Sequence, residues 1–376
     1  MLKGVHLTLM VGPAVPVPVS QAVLDALTSV TVTTTSGETA SGFELRFTLS
    51  NRSPLHTIFL LSGGAMPPFI RVIIVATMNG TPQVLMDGVM LNHEVSPGTD
   101  DAHSVLTVKG KDLTAVMDFI DFSGLPYPAM PNFARVALIL AKYAALGIVP
   151  LVIPEIVTDI PVPTNRIPRH QGKDLDYIKK LARESGYVFY LDPGPAPGVS
   201  KAYWGPEIKV GVPQPALNTN MDAHTNVESL QFNFDKERKK LPVVFIQEEI
   251  TKAVLPIPIP DITPLNPPLG LVPPIPPRIE PLYDSVFASP LQAVMMGLAE
   301  ASRSSDAVFA TGSLDVLRYG RILKARQLVG VRGAGPAFDG LHYVKSVTHS
   351  IKRGEYKQSF QLARNGLIST VERVVA

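Results

Sequence analysis

A β-rich α+β fold is what this sequence predicts, with strand-forming segments at both ends and helices between them. Three observations carry that expectation. Six short runs within the first 110 residues alternate apolar and polar side chains or are rich in β-branched ones. Between 111 and 190 the apolar residues recur instead with a helical period, running into one strand. Beyond 217 strand-like runs return, the last two joined by the turn Lys352-Arg353-Gly354-Glu355. At 376 residues the chain is long enough for more than one domain, or for one large composite body.

Composition narrows the function classes. Hydrophobic residues make up 45% and charged residues 18%, so sizeable cores can form. The 34 basic and 32 acidic residues leave a net charge of +2, and no basic stripe is interleaved with aromatics. Both features argue against a nucleic-acid binder. Cysteine is absent, which removes disulfides, thiolate nucleophiles and cysteine-ligated metal sites together. Residues 1–12 hold a short apolar run, but His6 and Thr8 alternate with Val5, Leu7 and Leu9 as in a strand, unlike a signal peptide. The one stretch apolar enough to weigh as a membrane span, 136–153, carries Lys142 near its centre and is broken by Pro150. A mid-span lysine costs about 2.5–3.5 kcal/mol on insertion scales. A buried helix is expected there, and no membrane span.

Taken in order, strands are expected at 5–11, 30–35, 43–50, 69–78, 83–94 and 104–109, with a short helical turn at 21–27. Asn79-Gly80 fits a type I′ hairpin, whose two central residues both need positive φ. Six strands at this spacing suggest a barrel or sandwich. A helix follows at 111–122, capped by Asp112, with Leu113, Val116, Met117 and Ile120 on one face. A second is expected at 133–146, capped by Asn132, with Val136, Ile139, Leu140 and Tyr143 inward. The proline-punctuated segment 148–168 must be extended, because a residue before proline avoids the α region.

The stretch 171–194 is a helix running straight into a strand. Asp174 is expected at the N-cap, where its carboxylate would accept an orphan backbone N–H. Leu175, Ile178, Leu181 and Ala182 form one apolar stripe. Gly186 supplies the left-handed residue that ends the helix, and Tyr187 to Leu191, with Phe189 at its middle, has strand character.

A strand and a turn are expected at 206–215, and two strands at 227–235 and 241–250 joined by the charged turn 236–240. Eleven prolines then fall within the 26 residues 256–281. That density excludes a core helix or inner strand, so polyproline II is expected. The arm's apolar residues imply that it packs on something. Pro256, Ile257, Ile259, Leu265, Leu269, Leu271 and Ile275 are therefore the candidate interface residues. The segment 283–303 reads as partly helical with Pro290 near a helix start, and strands close the chain at 327–332, 340–351 and 356–364.

No residue pattern in the sequence marks a reaction. The eight histidines are scattered singly, and the densest polar group, His93, Asp100, Asp101 and His103, surrounds a turn. His342 and His349 lie seven apart on one expected strand, an odd separation that would send them to opposite faces. Asp118 with Asp121, and Glu248 with Glu249, are the available carboxylate pairs, and nothing sets them apart from surface charges. No Gly-x-Ser-x-Gly, phosphate-cradling glycine loop or dinucleotide fingerprint occurs. Gly333-Ala334-Gly335-Pro336 joins two expected strands and precedes no helix. No catalytic residue, cofactor or metal is assigned.

Three motifs in order resemble one family. They are Lys173-Asp174-Leu175-Asp176-Tyr177-Ile178 with Ser185-Gly186-Tyr187-Val188-Phe189-Tyr190, the closing Phe338-Asp339-Gly340-Leu341-His342-Tyr343-Val344-Lys345, and the early Leu85-Met86-Asp87-Gly88-Val89 leading into Val105 to Leu113. The family is the late control protein D type of baseplate hub, found in contractile phage tails and phage-tail-like injection systems and similar to the front part of VgrG spike proteins. Asp174, Leu175, Ile178, Leu181, Gly186, Tyr187, Phe189, Gly340, Tyr343 and Val344 carry the signature.

The resemblance implies two similar β-barrel domains, here 1–110 and 217–376, with the mixed α/β region 111–216 between them and the proline-rich arm at 254–281 inside the second. It also implies a homotrimer whose six barrels form a pseudo-sixfold ring, a symmetry adapter between a hexameric inner tube protein and a trimeric spike protein. Other baseplate proteins would adjoin it. Such a protein would be assembled in the bacterial cytoplasm and carried in a phage tail or phage-tail-like particle. VgrG proteins continue into a spike whereas this sequence ends at Ala376, so the spike is expected on a separate polypeptide. The alternatives are a tail-tip peptidoglycan hydrolase, which needs an acid pair in a cleft, and a membrane channel through 133–153.

Overall fold

A computed structural model describes the chain except residues 1–3, 14, 38, 51–52, 62–68, 99–103, 156–157, 165, 248–252, 261–266, 288–289 and 372–376. The first part supplies β1 (Val5–Gly12), β2 (Val17–Pro18), the short helix α1 (Gln21–Ala26), β3 (Leu27–Thr35), β4 (Gly42–Leu49), β5 (Arg71–Met78), β6 (Thr81–Ser96) and β7 (Ser104–Asp112). All six expected strands and the helical turn are present. Met78 pairs with Thr81 across Asn79 and Gly80, both at positive φ, as the hairpin turn requires.

The middle holds α2 (Asn132–Ala141), β8 (Ile148–Val152), α3 (Asp174–Glu184), β9 (Val188–Pro193) and β10 (Ser200–Gly205). The remainder adds β11 (Gln214–Asn218), β12 (Ser229–Phe234), β13 (Lys240–Gln247), β14 (Val254–Pro258), β15 (Gly270–Val272), β16 (Arg278–Leu282), α4 (Pro290–Arg303), β17 (Val308–Asp315), α5 (Val316–Tyr319), β18 (Leu328–Arg332), β19 (Gly340–Lys352), β20 (Glu355–Arg364) and β21 (Leu367–Ser369).

The two β-rich ends do not form separate closed barrels among the described residues. They share one open sheet of 13 strands, because β19 pairs antiparallel with β3, Ser346–Lys352 against Ser29–Thr35. Each half thereby satisfies an edge on the other instead of closing on itself. One hydrophobic core follows, with Leu9, Leu45 and Phe47 from the first half packed with Leu314, Val347 and Phe360 from the second.

The middle region has its own sheet, β8-β10-β9, and its own core of Val136, Ile139 and Leu140 from α2, Ile178 and Leu181 from α3, and Phe189 and Trp204 from the sheet. Val89 of β6 enters that core from the first half. The Arg71 guanidinium forks onto Asp87, with Nε to Oδ1 and Nη2 to Oδ2 both at 2.7 Å, and also donates to the Gly198 carbonyl. This buried pair ties β5 and β6 to the loop between β9 and β10.

Several expected elements are displaced. The segment expected as a helix at 111–122 is a 3-10 turn, Leu113–Asp118, in which Asp112 does cap by accepting from the Thr114 N–H; Ile120 stands 59% exposed beyond its end. The helix expected at 133–146 stops at Ala141, and Asn132 lies inside it with Pro131 at the cap. No strand occupies 206–213, where the chain instead dips to bury Lys209. β12 and β13 exist but pair elsewhere, β12 with β17 and β13 with β14 and β16. β17 has no counterpart among the expected strands. Its interior Gly312 and small residues weaken the strand pattern, yet only glycine fits there, since a Cβ would sit 2.6 Å from the Phe360 ring and from the Ser229 carbonyl.

Polyproline II is corrected for part of the arm. β14 runs antiparallel along β13, and β16 runs parallel to it on the other side. The sequence Pro256-Ile257-Pro258-Ile259-Pro260 explains why this is allowed. Ile259 donates its N–H to the Pro242 carbonyl, so the alternate prolines turn their donor-less nitrogens away from β13. Proline at every second position makes an edge strand that no further strand can extend.

Candidate functional site

Asp174 is fully buried in the first turn of α3, and its side chain does not cap the helix. Its Oδ2 accepts from Tyr143 Oη at 2.7 Å and pairs with Lys142 Nζ at 2.6 Å, while Oδ1 accepts from His170 Nε2 at 3.0 Å. Lys142 also lies 3.8 Å over the Phe122 ring. Burial lowers the His170 pKa against the pull of Asp174, which favours the neutral imidazole; Nε2–H donates to the carboxylate and Nδ1 has no partner among the described residues. The carboxylate therefore joins the end of α2, the loop before α3 and α3 itself.

The rest of the helix signature stands largely where expected. Ile178 and Leu181 are buried, Leu175 packs at the core's edge and Phe189 is buried in β9. Tyr187 donates its N–H to the Ala182 carbonyl and Gly186 to Arg183, a Schellman closure with Gly186 at φ +68°. A Cβ on Gly186 would lie 2.7 Å from Ala299 Cα, so this glycine also lets α3 approach α4. Gly186→Ala is expected to cost at least about 1–2 kcal/mol for the left-handed backbone, and more for displacing α4. An unchanged urea midpoint would refute the close packing.

Gly340, Tyr343 and Val344 lie apart from this helix, on β19. Gly340 is at φ +114°, where a Cβ would strike the Ser369 side chain; Tyr343 and Val344 are buried. Beside Tyr343 lies a polar knot. Lys209 Nζ meets Asp306 at 2.6 Å and Lys345 Nζ meets Glu207 at 2.9 Å. Burial pushes the Asp306 carboxyl up, but the two lysines outweigh it and hold it at about 2.

A second constellation joins α2, α3 and the loop before α3. Arg135, only 7% exposed, donates to Tyr177 Oη at 2.6 Å and to Asn132 Oδ1. Asn132 donates in turn to Ser185 Oγ, and Ser185 donates to Glu155 Oε1 at 3.0 Å. The relay thus has a cation at one end and a buried carboxylate at the other, with Arg135 Nε and Glu155 Oε2 both without a partner among the described residues. It borders a cleft of about 550 Å³ closed on its far side by Met295, Met296 and Arg303 of α4. Sequence reasoning missed this site. The one readable signal was Arg135, in phase with Ile139 on the buried face of α2.

The candidate interface residues divide. Ile259 and Leu269 are buried within the chain, Leu265 lies outside the described residues, and Pro256, Ile257, Leu271 and Ile275 are exposed. Ile275 is 89% exposed, and Ile279, four residues on, 69%. The sheet itself presents a different surface. Thr33, Thr348, Ser359, Ser313 and Ser229 align across five strands as one row of hydroxyls, with Val32, Val347 and Phe360 on the opposite, buried face.

Among the described residues no group of three or more histidines and carboxylates could hold a metal ion, and no helix is long and apolar enough to cross a membrane. Asp118 pairs with Lys173 and Asp121 accepts from the Ser123 N–H. His93 is exposed on β6; Asp100, Asp101, His103, Glu248 and Glu249 lie outside the described residues. His342 and His349 are not on opposite faces. The ladder between β19 and β20 shifts at Lys345, so one extra residue restores the parity and both histidines are buried. They still share no ligand, since His342 bonds the Gly340 carbonyl and His349 bonds Tyr356 Oη.

No protein-family model matches this chain, and no curated protein matches it in sequence. Solved structures do share its fold. The tail protein from Neisseria meningitidis MC58 superposes with a TM-score of 0.63 at 12% identity, over 97% of this chain and 98% of that one. The 43 kDa tail protein of prophage MuSo2 from Shewanella oneidensis gives 0.62 at 14% identity, over 96% and 98%. The Francisella PdpA-VgrG complex gives 0.63 at 8% identity, over 100% of this chain and 60% of that one. The likeness is one of fold, and it falls on the phage-tail and VgrG proteins that the three motifs resemble.

Proposed function

We infer that this chain is a structural baseplate hub of a contractile tail or contractile injection system. The observation that carries this is the shared fold along almost the whole of both chains with a tail protein and a prophage tail protein. In this reading the halves 1–110 and 217–376 serve as the two related barrel-type units, 111–216 braces them, and three copies close a pseudo-sixfold ring. The ring joins the sixfold inner tube to a threefold spike on a separate polypeptide, among other baseplate proteins, within a tail assembled in the bacterial cytoplasm. The function is binding, not catalysis. The hydroxyl row is a wet face that needs no partner, whereas the exposed apolar residues of the arm gain by being covered.

Deleting the arm would remove Ile259 and Leu269 from cores within the chain, so point changes test the interface better. Mass photometry of the wild-type chain should show a trimer. Ile275→Glu with Ile279→Glu should shift it to monomer while leaving the thermal midpoint in place, because both side chains are exposed in the single chain. A wild-type chain that stays monomeric at every concentration, alone and with its tube and spike partners, would overturn the hub.

A further inference from the structure

We propose that the cleft between α3 and α4 is a peptide-docking site that takes an extended segment carrying an acidic side chain beside apolar ones. Three observations on this chain lead there. The cleft's charges do not balance internally. Arg166 pairs with Asp159, Arg303 with Glu300 and Lys180 with Glu184, but Arg135, Arg169 and Arg183 have no carboxylate within ion-pair distance among the described residues. Arg135 is the telling member, because a guanidinium buried to this degree without a counter-ion is costly unless a ligand supplies one.

The second observation is Glu155. Its Oε2 is buried and has no hydrogen-bond partner among the described residues, at the other end of the relay, so the site wants a donor as well as an anion. A bare dianion such as sulfate would be repelled there. A peptide satisfies both ends, with a side-chain carboxylate on Arg135 and a main-chain N–H on Glu155. Third, Leu181, Leu282, Met295 and Met296 give the same cleft an apolar wall, and methionine adapts to irregular partners. At about 550 Å³ the space suits a few residues of extended chain.

This site is independent of the hub reading, since it lies within one chain and can be assayed whatever the oligomeric state. The probe is a capped hexapeptide alternating Glu and Leu, with a Gln-for-Glu version as control, titrated by calorimetry against the intact protein. The Glu peptide should bind about tenfold tighter or more, the scale of one charge-assisted contact, and weaken with added salt. Arg135→Gln should erase most of that preference. Arg183→Gln, on an exposed side chain whose loss cannot unfold the protein, should reduce it. No binding, equal affinity for the two peptides, or a preference untouched by Arg183→Gln in a folded protein would each overturn the proposal.

Discussion

Asp174→Ala is expected to lower the unfolding free energy by about 3–5 kcal/mol, because it leaves two buried donors unsatisfied at about 1–3 kcal/mol each. The change strands the Tyr143 hydroxyl and the His170 ring inside the core, while Lys142, which is half exposed, can swing toward water. Asp174→Asn keeps the shape and one acceptor, so its loss should be smaller. Asp176→Ala, one turn-mate away on the exposed face, should move stability by no more than about 0.5 kcal/mol. Urea denaturation of the three variants separates two accounts of this residue. If Asp174 only capped the helix, its removal would cost about 1 kcal/mol. A loss that small would mean the buried cluster contributes little.

The helix at 174–184 was legible because its apolar stripe and its terminal glycine are local signals. The role of Asp174 was not, since Lys142, Tyr143 and His170 reach it from other segments and leave no mark beside it in sequence. The same holds for the relay from Arg135 to Glu155. The arm shows a different failure. Counting its prolines pointed to polyproline II, whereas their spacing at every second residue encodes an edge strand facing β13. In the β-rich ends, alternation placed nearly every strand, and it missed β17, where Gly312 trades side-chain pattern for room. The single sheet was out of reach too. Nothing in residues 29–35 announces a partner more than 300 residues away.

Parity along β19 also failed, and its correction leads to the largest pH effect expected of this protein. The bulge at Lys345 buries both His342 and His349. Burial, aided by the nearby Arg364 charge, pushes the His342 imidazole down to about 3, and burial pushes His349 down to about 4. His342 donates from Nδ1 to the Gly340 carbonyl and its Nε2 has no partner among the described residues, so protonation would place a charged N–H there without an acceptor. Both folded-state values lie below the unfolded value of about 6.5. The unfolded chain therefore takes up protons first as pH falls, and stability is full above pH 6.5 and declines below it. At about 1.4 kcal/mol per pH unit for each group, the pair withdraws on the order of 6 kcal/mol between pH 6.5 and 4. That is comparable with the whole stability of about 5–15 kcal/mol typical of a folded protein. Asp306, held well below the usual carboxylate range by Lys209 and Lys345, gives up its contribution only as pH falls through about 4 and lower, so it hardly enters this window. Urea titrations at half-unit steps should show the decline, and His342→Met combined with His349→Gln should remove most of it, leaving the smaller share of His170, even with some stability lost at pH 7. A wild-type curve that stays level from pH 7 to 4.5 would mean that neither imidazole is sealed from water, and that the shift at Lys345 does not set the inward face of this strand.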